Sequence, residues 1–282
     1  MPTLYISDLD GTLLNDTAIL SPYTRHSLGR LLESGLTFTV ATSRSISSIG
    51  PIFQGLSLPL PVIELNGAYI TDIVTGKHLF VNDIATDLAA DVLTLVQSYG
   101  IQPLVSSYNG QNDQVYFTTD ANLGVQWYID DAERNEDGRW HCCPDLMNVL
   151  DEQIMRLTLI DTQSQLMALM QDLETRFPAC LDMHLFENPY QPSWYWLTLQ
   201  DRTATKANGI RELQQLNNLQ HHHLTVFGDH NNDISMFQLA DVAVATANAT
   251  PELQQHATEI IGHHSEDSVV KYLESRWSSI AV

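Results

Sequence analysis

The chain has 282 residues, an apolar fraction of 44% and a formal net charge of −21. This length allows more than one domain and leaves material for a sizeable core. The negative charge repels nucleic acid and anionic membrane surfaces, so the sequence predicts neither as a partner.

Short β-rich runs alternate with helical patterns at the start of the chain. Thr3–Ser7 predicts a strand, and Ser21-Pro22 predicts the cap and first turn of a helix that ends at Gly35. Leu36–Ala41 and Leu60–Leu65 predict two more strands. This β-α-β order favours a parallel sheet covered by helices.

The middle of the chain, residues 83–193, has patterns of its own. Helices are predicted at Asp87–Ser98, Ala121–Glu133 and Ser164–Arg176, and strands at Pro103–Tyr108, Gln114–Thr118, Ile154–Ile160 and Leu181–Leu185. None of these runs ends in a cluster of reactive groups. We interpret residues 83–193 as an α/β cap domain inserted between two halves of one core domain, residues 1–82 and 194–282.

The β-α-β order resumes after the insertion. The run WYWLTL, residues 194–199, predicts a core strand that leads to Lys206. Leu224–Phe227 predicts another strand, followed by a helix at Ile234–Leu239 and a short buried strand at Asp241–Ala245. The predicted fold class is α/β, with a Rossmann-like parallel-sheet core and an inserted α/β cap.

Four predicted core strands each lead to polar groups suited to phosphate chemistry. These groups are Asp8-Leu9-Asp10-Gly11-Thr12, Thr42-Ser43-Arg44, Lys206, and Gly228-Asp229-His230-Asn231-Asn232-Asp233. In an open α/β sheet the ligand crevice lies outside the carboxyl ends of the strands. We therefore expect these groups to gather at one edge of the sheet.

Each group supplies something that phosphoryl transfer needs. Asp8 and Asp10 are two residues apart, so one carboxylate can attack while the other moves protons. Thr42 offers a hydroxyl donor and Lys206 a positive charge for the transition state. Further carboxylates in the last segment suit Mg²⁺, a hard ion that binds oxygen ligands.

These residues resemble the motifs of the haloacid dehalogenase superfamily, in its Cof-type branch with an α/β cap. DLDGTLL is similar to the first motif, ATSR to the second, Lys206 to the third and GDHNND to the fourth. Asn66-Gly67-Ala68 and the segment ATANATPELQQHA resemble further signatures of the branch. The resemblance spans both ends of the chain and the position of the cap.

The resemblance implies a role for each matching residue. Asp8 would be the nucleophile that becomes an aspartyl-phosphate, and Asp10 the general acid and base. Mg²⁺ would be held by the Asp8 and Asp229 carboxylates and the Asp10 carbonyl, with Asp233 acting through the ion's water ligands. Thr42, Lys206 and Asn232 would bind the phosphoryl oxygens, and Ser43, Arg44 and Asn66 are weaker candidates for substrate contacts.

The chain departs from the family pattern at several places. Ser43 stands where the second motif more often has glycine, and Ala245-Thr246-Ala247-Asn248 replaces a common Met-Gly before the late asparagine. Ser268 also stands where a glycine is common. The last two departures concern the shape of nearby loops. Asn66-Gly67 is also an ordinary turn signal, and Arg44 an ordinary surface or ion-pairing residue.

The leading hypothesis is a phosphatase for a small phosphate monoester, such as a sugar phosphate. A phosphomutase that uses the same phosphorylated Asp8 is one alternative, and a non-catalytic sensor of Mg²⁺ and a phosphorylated metabolite is another. The beginning of the chain does not resemble a signal peptide, and Cys142, Cys143 and Cys180 lack the spacing of a zinc or redox pair. We therefore expect a cytoplasmic protein. The sequence indicates neither the substrate nor the oligomeric state.

Overall fold

The segment TLYIS near the start of the chain forms the buried strand β1 (Thr3–Ser7). The computed structural model describes residues 2–134, 136–188, 191 and 193–278. After β1 the elements are α1 (Pro22–Glu33), β2 (Phe38–Val40), α2 (Ile46–Phe53), β3 (Val62–Glu64), β4 (Tyr69–Thr71) and β5 (His78–Val81). The predicted cap of α1 is confirmed, because the Ser21 hydroxyl accepts the Thr24 N–H at 2.9 Å.

The middle of the chain contains three helices and six strands among the described residues. These are α3 (Thr86–Ser98), β6 (Leu104–Tyr108), β7 (Asp113–Phe117), α4 (Leu123–Arg134), β8 (Trp140–Cys142), β9 (Gln153–Asp161), α5 (Gln163–Arg176), β10 (Leu181–Glu187) and β11 (Tyr195–Asp201). Every helix and strand predicted between residues 83 and 193 is present, within about two residues at each end.

The last part of the chain returns to the alternation of helices and strands. Its elements are α6 (Lys206–Leu216), β12 (His223–Gly228), α7 (Ile234–Leu239), β13 (Val242–Ala245), α8 (Pro251–Gln254), β14 (Glu259–Ile260) and α9 (Ser268–Ser278). The Thr205 hydroxyl caps α6 by accepting the Asn208 N–H at 3.2 Å, which fixes Lys206 as the first helical residue.

A five-stranded parallel sheet forms the centre of this part of the molecule, in the order β14-β13-β12-β1-β2. Its central strands are buried on both faces, as expected for a parallel sheet covered by helices. Leu4 and Ile6 pack into one apolar cluster with α6 and α7, and Tyr5 packs into another with α1 and α9. Beside β2, the strands β3, β4 and β5 form a small antiparallel sheet.

A separate six-stranded sheet has the order β10-β11-β9-β6-β7-β8 and is antiparallel except between β7 and β8. Leucines of β9 and β11 point to one face of it, where α3 and α5 cover them in an apolar cluster. The opposite face carries a smaller apolar cluster that includes Val125 and Ile129 of α4.

The chain divides into two compact units. The first unit runs to Val81 and resumes at Ala204, and the second unit is Asn82–Thr203. The sequence prediction placed residues 194–203 in the core, and the structure corrects this. Strand β11 pairs with β9 and β10 inside the sheet of the second unit. The strand that precedes Lys206 in the chain therefore belongs to the second unit and not to the core.

The predicted α/β class, with a parallel-sheet core and additional sheets, is confirmed. In the described ranges, every helix is too short or too polar to cross a membrane.

Candidate active site

The carboxyl ends of β1, β2 and β12 lie side by side, which brings three of the predicted motif segments to one edge of the sheet. Ser7, the last residue of β1, pairs with Val40 of β2 and with Phe227 of β12. Asp8 continues this alignment, because its N–H donates to the Phe227 carbonyl at 2.9 Å. The segments that follow these strands are therefore neighbours.

A wide turn follows Asp8 and carries the rest of the first motif. The turn is closed by the Leu14 N–H, which donates to the Leu9 carbonyl at 2.9 Å. Gly11 has a φ of +69°, and a Cβ atom there would lie 2.2 Å from Oδ2 of Asp229. Only glycine fits this position without displacing that carboxylate.

Hydrogen bonds from two distant segments fix the same turn. The Thr12 hydroxyl donates to Oδ1 of Asp229 at 2.9 Å. The Gly11 carbonyl accepts from the Asn248 amide at 2.8 Å and from the Thr246 hydroxyl at 3.3 Å. Thr246 and Asn248 lie in the loop that departs from the family pattern. This loop therefore holds the first motif in place.

Lys206 lies fully buried between two carboxylates. Its Nζ is 2.9 Å from Oδ1 of Asp8 and 2.6 Å from Oδ1 of Asp233. Burial alone would lower the pKa of Lys206, but the charges of Asp233 and Asp8 outweigh it, so its pKa lies above the ordinary value. Lys206 therefore carries a positive charge in contact with the predicted nucleophile.

Asp233 uses both of its oxygens inside the protein. One accepts from Lys206, and the other accepts the N–H groups of Asp229 and His230 at 3.0 and 3.1 Å. Gly228 leaves room for this carboxylate, since a Cβ atom at residue 228 would lie 2.5 Å from Asp233 Oδ2. Asp233 thus shapes the loop that presents Asp229.

The carboxylates of Asp8, Asp229 and Asp233 form a group that fits a divalent metal ion. One oxygen from each lies within 4.8 Å of the others. Burial raises the pKa of Asp8 well above its ordinary value, although Lys206 acts in the opposite direction. Burial and the Asp233 charge raise the pKa of Asp229 to about 6. Three carboxylates outnumber one ammonium group, and hard oxygen donors suit a divalent ion that would balance the excess charge.

The structure brings two predicted phosphate-binding residues, Thr42 and Asn232, together through Asn66, a weaker candidate for a substrate contact. Thr42 is buried, and its carbonyl accepts the Asn66 N–H at 2.9 Å. The Asn232 amide donates to Oδ1 of Asn66 at 3.1 Å. Asn66 thereby links the loop after β2 to the loop after β12.

The remaining predicted site residues lie differently. The Arg44 guanidinium binds the Asp10 carboxylate through two hydrogen bonds of 2.6 and 2.7 Å. The Asp10 side chain is half exposed and lies outside the carboxylate group described above. Ser43 is exposed. The predicted proton carrier and a predicted substrate contact are therefore paired with each other in this structure.

Several residues that shape the site were not found from the sequence. Thr12 belongs to the DGT motif, and Thr246 and Asn248 lie in a segment already noted as a signature, so a signal for them existed. Glu64 is a fully buried carboxylate next to the Asn66 turn. A single glutamate in a short strand gives no sequence signal that it lies buried beside a functional turn.

The comparisons with known proteins agree with this arrangement. Residues 5–273 match the family model described as haloacid dehalogenase-like hydrolase. The chain is 24% identical to the 5-amino-6-(5-phospho-D-ribitylamino)uracil phosphatase YitU of Bacillus subtilis, over 98% of each chain. It is also 24% identical to the pyridoxal phosphate phosphatase YbhA of Escherichia coli, over 95% of this chain and 96% of that one.

A solved structure shows the same fold over nearly the full length. TM0651 from Thermotoga maritima superposes with a TM-score of 0.78 at 25% identity, covering 98% of this chain and 97% of that one. The family match covers most of the sequence, from β1 into α9, and includes the residues at the sheet edge. The resemblance inferred from the motifs is confirmed, and the chain belongs to the haloacid dehalogenase-like hydrolase family.

Proposed function

We propose that this hydrolase is a Mg²⁺-dependent phosphatase that hydrolyses a small phosphate monoester through an aspartyl-phosphate on Asp8. One observation carries the proposal. The Asp8 carboxylate, at the carboxyl end of a central parallel strand, lies 2.9 Å from a fully buried Lys206 and beside two further carboxylates. A nucleophile, a fixed cation and a donor set for a divalent ion meet there, as phosphoryl transfer requires.

In the first step, the Asp8 carboxylate attacks the phosphorus atom and the bond from phosphorus to the ester oxygen breaks. Asp10 gives a proton to the departing oxygen, so that the alcohol leaves neutral. In the second step, a water molecule gives a proton to Asp10 and attacks phosphorus, which releases inorganic phosphate and restores the Asp8 carboxylate. Atoms and charges balance over the two steps.

The other residues would bind and orient the transferring group. Lys206, the Thr42 hydroxyl and the Asn232 amide would hold the phosphoryl oxygens. Asp8, Asp229 and the Asp10 carbonyl would hold Mg²⁺, with Asp233 in support. When bound, Mg²⁺ supplies positive charge that lets two anions approach each other.

The pairing of Asp10 with Arg44 adds a condition to this mechanism. Both Asp10 oxygens accept from the guanidinium in the structure. Asp10 has to give up at least one of these hydrogen bonds before it can hand a proton to the leaving oxygen. We expect polar groups of the substrate to take over part of the contact with Arg44.

The substrate class follows in part from the relatives. YitU and YbhA are named for two different phosphorylated metabolites, a ribityl phosphate and pyridoxal phosphate. We propose a small phosphorylated metabolite for this chain as well, a sugar phosphate or a similar ester. The second unit is the part that we propose to select it.

The test measures release of inorganic phosphate from phosphorylated sugars, ribitylaminouracil phosphate, pyridoxal phosphate and nucleotides. We expect release with Mg²⁺ and none with EDTA. Asp8→Asn should lower turnover by at least about 10³-fold with the fold intact. Asp182→Asn in the second unit is a matched control and should keep activity.

Three outcomes separate the competing functions. Conversion of a sugar phosphate to an isomer without phosphate release would favour a phosphomutase. Binding of Mg²⁺ and a phosphorylated metabolite without turnover would favour a sensor. Unchanged turnover in Asp8→Asn would contradict the proposed nucleophile.

A further inference from the structure

The turn after β3 has an unusual backbone. Leu65, Asn66 and Gly67 have successive φ angles of +48°, +57° and +107°. The left-handed region costs a residue with a side chain roughly 1–2 kcal/mol, and leucine is a poor choice for it. Strained backbone of this kind persists where surrounding contacts hold it, and it is concentrated at functional sites.

Contacts with three motif segments hold this turn. The Leu65 N–H donates to the Arg44 carbonyl at 3.1 Å. This hydrogen bond is adjacent to the one from the Asn66 N–H to the Thr42 carbonyl. Gly67 lies against the backbone just before Lys206, because a Cβ atom on Gly67 would be 2.3 Å from the Thr205 carbonyl oxygen. The bond from Asn232 to Asn66 adds the third segment. The turn therefore bridges the second, third and fourth motifs.

Glu64, immediately before this turn, is completely buried. Its carboxylate accepts the Ile46 N–H at the start of α2 and the Thr71 hydroxyl of β4. Ile46 follows closely after Thr42 and Arg44 in the chain. One side chain thus ties the segment after β2 to the strand pair that carries the Asn66 turn.

His78 completes this hydrogen-bonded chain. Its Nδ1 lies 2.7 Å from the Thr71 hydroxyl oxygen and 3.6 Å from the Glu64 carboxylate. Because the hydroxyl has one proton and gives it to Glu64, the Thr71 oxygen accepts from His78 Nδ1. The His78 ring stacks on Tyr69 with 4.0 Å between the ring centroids. The His78 ring is thus held by the Thr71 hydroxyl and by Tyr69.

We propose that Glu64 is a positioning residue for two phosphoryl-binding groups, Thr42 and, through the Asn66 turn, Asn232. The inference rests on the proposed function, since that function assigns phosphate binding to Thr42 and Asn232, and Asn232 donates to Asn66. Stability is a weak reason for a carboxylate at this position, because taking it out of water costs free energy that its hydrogen bonds have to offset. The carboxylate instead fixes the position of the segment after β2 relative to the turn after β3.

Two variants of Glu64 separate positioning from charge. Glu64→Gln keeps an oxygen for the Ile46 N–H and offers an amide donor to the Thr71 oxygen, so the heavy atoms can stay in place. Glu64→Leu keeps the approximate volume and leaves both donors without their acceptor. Glu152→Leu in the second unit is the matched control, because Glu152 likewise accepts two hydrogen bonds, from the Ser107 and Tyr116 hydroxyls.

The first measurement is amide hydrogen exchange of the metal-free proteins, which requires no activity. We expect Glu64→Leu to speed exchange in residues 42–46 and 65–68, while Glu64→Gln and Glu152→Leu leave these segments protected. The second measurement is the kinetics of phosphate release with Mg²⁺. Glu64→Leu should lower kcat/KM by about 10- to 100-fold, as a small misplacement of binding groups can. Inorganic phosphate should also inhibit it more weakly, and Glu64→Gln should restore most of both.

Unchanged exchange in the two segments would overturn the proposal whatever the activity. So would equal losses of kcat/KM in Glu64→Leu and Glu152→Leu. If the wild-type protein hydrolyses no ester, the proposed function fails on its own. In that case the exchange experiment still tests the positioning claim, together with calorimetric titration of the same variants with inorganic phosphate and Mg²⁺. If Glu64→Leu binds inorganic phosphate as tightly as the wild-type protein does, the positioning claim is wrong.

Discussion

The two units of the molecule are both built from sheets and helices, but they bury different side chains. Among the described residues, the four buried side chains that carry a charge are Asp8, Glu64, Lys206 and Asp233, all in the first unit. The buried polar side chains of the second unit are uncharged, and its ion pairs are at least partly exposed. Burying a charge is costly unless it is paired, so the first unit gives up stability to hold a reactive group of residues.

The glycines show the same contrast. Gly11, Gly67 and Gly228 in the first unit leave room for Asp229, the Thr205 carbonyl and Asp233. In the second unit, Gly124 leaves room for Trp194 and Ile160, which are packing residues. Similar steric constraints therefore serve the site at these three glycines and core packing at Gly124.

Removing the buried cation should produce the largest difference between the units. Lys206→Met leaves Asp8 and Asp233 buried without their partner, so we expect the free energy of unfolding of the metal-free protein to fall by about 3–5 kcal/mol. Phosphate release should fall by at least about 10²-fold, because a donor to the transition state is lost. Denaturant titration and phosphate-release kinetics measure the two effects.

Arg156→Met is the control in the second unit. Arg156 is only partly buried and donates to Gln200 at 2.9 Å. Its loss should destabilise the protein less and leave phosphate release nearly unchanged. Equal effects of the two substitutions on the metal-free protein would contradict the contrast between the units.

Substitution of two constrained glycines should sharpen the comparison. Gly11→Ala places a methyl group against Asp229 in a left-handed conformation, so we expect Mg²⁺ affinity to fall by roughly 10- to 100-fold. Gly124→Ala places a methyl group 2.6 Å from the Trp194 ring. Overpacking of this kind costs about 1–3 kcal/mol in stability and should leave Mg²⁺ affinity unchanged. Calorimetric titration and thermal unfolding of both variants test the expectation, and a loss of Mg²⁺ affinity in Gly124→Ala would contradict it.

The positions of the candidate site residues were easier to predict than their contacts. The positions of Asp8, Thr42 and Asp229 could be predicted because each follows a core strand that is visible in the sequence, whereas Lys206 begins α6 and follows a strand of the second unit. The pairing of Arg44 with Asp10 was not predictable, because the direction of a long side chain depends on residues that are close in space but distant in the sequence. Glu64 was missed because its partners are a backbone N–H and a threonine, which form no motif.

The fold class was predicted correctly, but the assignment of strands to sheets and several short elements were not. The run that forms β11 was identified as a strand but placed in the core. Its hydrophobic pattern, with leucines on one face, suits either sheet. The pairing with β9 and β10 depends on contacts between distant parts of the chain, so alternation along the strand could not reveal it. The short strands β4 and β5 were missed for the related reason that three or four residues carry little periodicity.

The smallest effect that we predict concerns the pH dependence of metal binding. Burial raises the pKa of Asp229 to about 6 in the metal-free protein, and the Thr12 hydroxyl opposes this rise. A proton on Asp229 competes with the ion, so Mg²⁺ affinity should increase as the pH rises through about 6. The loss between about pH 7 and pH 5 should be roughly ten-fold or more, because the raised pKa of Asp8 acts in the same direction.

Thr12→Val removes the opposing hydrogen bond and should move this profile to higher pH, as calorimetric titrations with Mg²⁺ at several pH values would show. The control is Thr118→Val in the second unit, which removes a buried hydroxyl that has no hydrogen-bond partner among the described residues. It should leave the profile where it is, because Thr118 belongs to the other unit and has no part in the carboxylate group. A profile that is flat from about pH 5 to pH 7, or one that both threonine variants shift equally, would mean that proton binding by the buried carboxylates does not control the metal affinity.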